Sequence, residues 1–146
     1  MILKIFRAVW FISVVAVVVN MLYVYAGMPE QLIVWEDQAY SVPMERDTLF
    51  YIGVAFLALV NVLVYVFGKR IMPDEHFRTW LHGLVITMNV FFVIAWSFIG
   101  LYNSSETFEY ERAGRVITIG LILITAWVAA WPLFVLYRKF FAKPVV

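Results

Sequence analysis

Four long, uninterrupted apolar runs alternate with polar segments along this chain, at 5–26, 48–67, 79–102 and 114–137. At about 1.5 Å rise per residue, roughly 20 residues cross the ~30 Å hydrocarbon core of a bilayer. The polar segments punctuate these helices. Gly68-Lys69-Arg70 stops the second, with glycine at the helix end and cations at its negative pole. Pro73-Asp74-Glu75 opens the third, and Asn103-Ser104-Ser105 turns the chain towards the fourth. Glu109 with Arg112, and Glu111 with Arg115, have the spacing of helical ion pairs that begin the fourth helix about two turns above the membrane. Pro132 predicts a bend near its other end. The pattern predicts an all-α integral membrane protein: one domain over 1–146, folded as an antiparallel bundle of four transmembrane helices.

The longest polar stretch is 27–47. It carries Glu30, Glu36, Asp37, Glu45 and Asp47 against a single cation, Arg46. Leu32-Ile33-Val34-Trp35 is β-prone, Glu36-Asp37-Gln38 suits a turn, and Tyr40, Val42 and Met44 alternate with small or polar residues. These features allow a two-stranded ribbon, which helix ends or a partner would have to hold because an isolated hairpin is marginal in water. Glu30, Trp35, Glu36, Asp37, Tyr40, Glu45 and Asp47 are the candidate docking residues for a partner.

Cations set the expected orientation. With the N-terminus inside, the inner segments hold Lys4, Arg7, Lys69, Arg70, Arg78, Arg138, Lys139 and Lys143, and the outer ones only Arg46, Arg112 and Arg115. This positive-inside bias places both termini in the cytoplasm, with a bacterial cytoplasmic membrane as the expected location. Lys4 and Arg7 ahead of an apolar run ending in Val24-Tyr25-Ala26 also mimic a signal peptide. That run, at about 22 residues against the 7–15 of a signal peptide, favours an uncleaved anchor.

Composition agrees with the pattern. The chain is 64% hydrophobic, where soluble domains use about 45–50%. A net charge of +1 leaves no basic face for nucleic acid. With no cysteine, disulfides, thiolate metal sites and thiol nucleophiles are excluded.

Polar residues inside the spans are few. None carries a charge at mid-depth, which argues against a proton pump, a carboxylate-based ion carrier or a voltage sensor. Thr87, Asn89 and Thr125 lie at similar depth and are expected to hydrogen-bond between the third and fourth helices. The competing reading is a polar patch for a substrate or quinone. Ala126-x-x-x-Ala130 and Gly83-x-x-x-Thr87 offer small faces for close packing. Arg78, Trp80 and His82 are candidate head-group or quinone contacts at the inner face. His76 and His82 are about 600° apart around a helix, so they do not make a bis-histidine site, and no cofactor or metal is expected.

Over residues 25–51 the chain resembles a small domain found in SdpI-type bacterial immunity and signalling membrane proteins. Met28-Pro29-Glu30-Gln31, Val34-Trp35-Glu36-Asp37 and Met44-Glu45-Arg46-Asp47-Thr48 carry the likeness, although that family shows His-Phe where this chain has Trp35-Glu36. The resemblance implies no catalytic chemistry. The expected function is that of a non-catalytic accessory or structural subunit of a larger membrane complex, with lipid and other membrane subunits as partners. Two other readings stay open: an SdpI-like immunity or signal-sensing protein, and a small transporter or quinone-contacting subunit.

Overall fold

The computed structural model describes residues 1–37, 39–68, 74–104 and 110–141, with 35–37 and 110–113 described as backbone only. These residues form four helices and one hairpin: α1 (Ile2–Gly27), β1 (Gln31–Asp37), β2 (Tyr40–Glu45), α2 (Arg46–Val66), α3 (Glu75–Tyr102) and α4 (Tyr110–Phe141). All four helices are long and apolar enough to cross a membrane. Large side chains such as Phe11, Ile12, Leu59, Ile122 and Leu133 stand exposed on them. In water these faces would be costly, whereas in lipid they are solvated.

Local chemistry sets the helix ends. Met28 is extended, at φ −77° and ψ 142°, as the residue before Pro29 prefers, and α1 stops there. Asp74 caps α3 by accepting the His76 N–H at 2.9 Å, with Glu75 in the first turn. Pro73 and the Gly68-Lys69-Arg70 stop run into residues outside the described set, as do Ser105, Glu109 and the side chains of Glu111 and Arg112.

Paired residues rise together between α1 and α3: Ser13 meets Asn89 and Asn20 meets Ser97, so these two helices run the same way. Between α1 and α2 the order reverses. Trp10 meets Asn61, whereas Met21 lies beside Gly53. These three helices enclose the buried core of Val17, Met21, Leu57 and Trp96 at one end and Val60, Val64 and Val85 at the other.

α4 packs chiefly against α3, in the opposite direction, and none of its most apolar stretch is buried by the chain itself. The joint is made by glycine notches. A Cβ on Gly83 would sit 2.6 Å from the Trp127 ring, and one on Gly120 would sit 2.5 Å from Phe91. Each helix therefore offers the other a bare backbone spot for an aromatic ring. Of the two small faces read in the sequence, Gly83 is used, while Ala126 and Ala130 remain exposed. α4 continues unbroken through Pro132. That proline leaves the Val128 carbonyl without its helical donor, and one residue away the Trp80 indole donates to the Trp127 carbonyl at 2.6 Å.

The hairpin modifies the all-α expectation. β1 and β2 pair antiparallel from Gln31↔Glu45 to Asp37↔Tyr40, with a bulge between Ile33 and Trp35. The extra residue, Val34, shifts the pairing, so Glu36 and Asp37 lie in the strand and not in the turn expected there.

Candidate functional site

The hairpin is fixed to the bundle at several points. Leu32 is fully buried among Met28, Met21 and Trp96, so β1 plugs the open end of the α1–α2–α3 core. At the end of α3, Asn103 accepts the Ile33 N–H at 2.7 Å and donates to the Ile33 carbonyl at 3.1 Å. This side-chain amide occupies both backbone groups of Ile33 and blunts that edge of the ribbon. Pro43, with no N–H, sits in the other strand, a position suited to an open edge. At the base, the Arg46 N–H donates to the Glu30 carbonyl at 2.9 Å, and its guanidinium donates to the Met28 carbonyl at 3.2 Å. The same guanidinium lies over the Tyr25 ring, 4.6 Å from its centre, while the Tyr25 hydroxyl donates to Asp47 at 2.8 Å.

The single cation of this segment is thus consumed in anchoring it. Glu30, Tyr40 and Glu45 are exposed and face solvent. Asp47 is also exposed but shares its carboxylate with Tyr25 and, at 3.5 Å, Arg46. Trp35, Glu36 and Asp37 lie on β1, and their side chains are outside the described residues. The result is a ribbon tied to the bundle whose exposed described charges at its base are acidic.

The polar groups within the spans are arranged differently from expectation. Asn89, on α3, does not reach α4. Its amide donates to Ser13 on α1 at 2.9 Å and exchanges a reciprocal pair of 3.1 Å bonds with Asn61 on α2. Asn61 also accepts the Trp10 indole N–H at 2.9 Å and donates to the Leu57 carbonyl. One polar residue from each of three helices therefore closes a network at 1% exposure of Asn89. Thr87 and Thr125 bond their own helices, to the carbonyls of Gly83 and Leu121, because a threonine hydroxyl in a helix reaches back one turn. Neither makes the expected bridge between α3 and α4. Ser13 and Asn61, which were not among the candidate residues, complete the network with Asn89. The signal for them was present: Ser13 and Asn20 are seven residues apart and Asn89 and Ser97 eight, matching polar ladders on two parallel helices.

Arg78, Trp80 and His82 separate onto two faces. Arg78 and His82 line a cavity of about 420 Å³ between α1, α2 and α3, together with Arg7, Trp10, Val64, Tyr65 and Gly68. Trp80 lies on the opposite side of α3, in an aromatic cavity of about 460 Å³ shared with Trp127, Trp131 and Phe134. Positions 78 and 80 are 200° apart on a helix, so no rotation could bring them together. His82 is buried and its Nδ1 lies 2.6 Å from the Arg78 carbonyl. Facing an acceptor, Nδ1 must carry the proton. Its ring meets Trp10 edge-on, with centres 5.8 Å apart.

No family model, curated protein or solved structure matches this chain.

Proposed function

We propose that this chain is a non-catalytic accessory subunit of a larger membrane assembly, an antiparallel four-helix bundle of a bacterial cytoplasmic membrane with both termini inside. In this reading the acidic hairpin is its outer docking surface. The anchoring of that hairpin by Leu32 and by the Asn103 grip on Ile33 carries the proposal. A ribbon already ordered in the free protein loses little conformational freedom on binding, which is what a docking surface requires. The excess of Lys and Arg on the two terminal segments and on the link between α2 and α3 supports the orientation. α4, held on one side only, leaves an apolar flank for neighbouring subunits or lipid. A transporter would need polar groups free to meet a substrate, whereas Asn61 and Asn89 spend theirs on each other.

Native electrophoresis of the protein extracted in mild detergent from its own membrane tests this. The wild type should migrate within a larger assembly, and Glu30→Gln/Glu45→Gln should release it while remaining folded. Migration of the wild type as a lone monomer would refute the proposal. A second reading, sensing of an external basic agent, is favoured by the overlap of this hairpin with the SdpI-like segment. It predicts that the same double substitution alters sensitivity to such an agent without changing migration.

A further inference from the structure

The cavity between α1, α2 and α3 gathers two guanidinium groups, Arg7 and Arg78, with His82, Trp10 and Tyr65 around about 420 Å³ of space. Among the described residues, no carboxylate lines it. The sequence explains why: residues 1–29 and 48–73 contain no Asp or Glu, so α1 and α2 cannot supply one at this end. On α3, Asp74 is engaged by the His76 N–H and by Arg138 at 3.6 Å, and Glu75 faces the separate aromatic cavity. Among the described residues, the buried Arg78 Nε has no hydrogen-bond partner. An unpartnered guanidinium N–H buried in protein is costly. Its place beside a second arginine and an open volume marks where an outside acceptor belongs.

We infer that this cavity is a binding site for a phosphate-bearing anion, seated by Arg7 and Arg78. The guanidinium fork fits phosphate oxygens in a bidentate manner. The rest of the lining is largely apolar or aromatic, with Val64, Trp10, Tyr65 and the His82 ring, and large apolar side chains such as Phe11 and Leu63 stand exposed on α1 and α2. A phosphate attached to acyl chains is therefore accommodated where a fully hydrated one would lose its water. The ligand is the head group of an anionic phospholipid, and basic pockets between transmembrane helices commonly take such head groups. The site is independent of the outer hairpin, so the docking proposal and this one can fail separately.

Native mass spectrometry of the purified full chain, released from micelles doped with one additive at a time, reads the site directly. The additives are dioleoylphosphatidylglycerol, dioleoylphosphatidylcholine and inorganic phosphate. The wild type should retain one phosphatidylglycerol in preference to phosphatidylcholine. Arg7→Gln and Arg78→Gln should each weaken retention roughly tenfold, the effect of losing one charge-assisted hydrogen bond. Lys139→Gln, which removes an exposed cation outside the cavity, should leave retention unchanged. If inorganic phosphate is held more tightly than phosphatidylglycerol and the same two substitutions release it, the shared chemistry stands and the source is a free phosphate. Equal retention of the two lipids by the wild type would overturn the site, and so would equal losses from Lys139→Gln and Arg78→Gln. The wild-type lipid preference is decisive even if an arginine variant fails to fold.

Discussion

Replacing Asn103 with alanine removes both side-chain bonds to Ile33, at 2.7 and 3.1 Å, and a third to the Ile99 carbonyl at 2.9 Å. The last only secures the end of α3, whose backbone is already capped by the Asn103 N–H. The two bonds to Ile33 hold the ribbon. At about 1 kcal/mol net for each, their loss should favour local opening of β1 by roughly 2 kcal/mol, a factor of about 30. Leu32 remains in its socket, so the strand should loosen without leaving the bundle. Hydrogen–deuterium exchange on the protein in lipid nanodiscs reads this as faster exchange across 31–37, with the amides of α1 and α2 unchanged. Asn103→Asp sharpens the test. It keeps an acceptor for the Ile33 N–H but offers no donor to the two carbonyls and sets a charge against them, so it should loosen the ribbon at least as much as alanine does. If neither variant changes exchange in β1, the grip does not order the hairpin, and the argument for a preformed docking surface falls with it.

Two further outcomes follow from the packing. Asn89→Ala breaks three side-chain hydrogen bonds, to Ser13 and twice to Asn61; at ~0.6 kcal/mol each in a membrane, unfolding in mixed micelles should show a loss of about 2 kcal/mol before any cavity term. Thr125→Val, exposed and bonded only to its own helix, should stay within about 0.5 kcal/mol of wild type, and equal losses from the two would deny the network its role. Gly120→Ala places a methyl 2.5 Å from the Phe91 ring, an overpacking of about 1–3 kcal/mol, whereas a Cβ on Gly114 in the same helix meets nothing within 4 Å. Tryptophan fluorescence from Trp80 and Trp127, which lie at this joint, should report earlier thermal separation for Gly120→Ala and none for Gly114→Ala.

The four helices were legible in the sequence because a bilayer demands only length and apolarity, and both can be counted along the chain. The start of α3 was legible in Asp74-Glu75, whose acidic side chains suit a helix's positive pole. The hairpin was legible from alternation, but its turn was misplaced because the bulge at Val34 inserts a residue that a period of two cannot register. Which helices touch was the least legible feature, for a physical reason. In water a hydrophobic stripe announces the face that must be buried. In lipid an apolar face is equally stable against acyl chains or against a neighbour, so the periodicity of α1 carries no information about its partner. Chain order suggested pairing Asn89 with Thr125 on the adjacent helix, yet Asn89 chose Ser13, 76 residues away. The information lay in the residues that lipid cannot satisfy or that let backbones approach. The polar ladders Ser13/Asn20 and Asn89/Ser97 fix α1 against α3, Asn61 ties in α2, and Gly83 and Gly120 seat α4. These few positions select one arrangement from several that the apolar residues would accept equally, so changing them should alter which helices meet, whereas apolar exchanges on the lipid-facing surface should not.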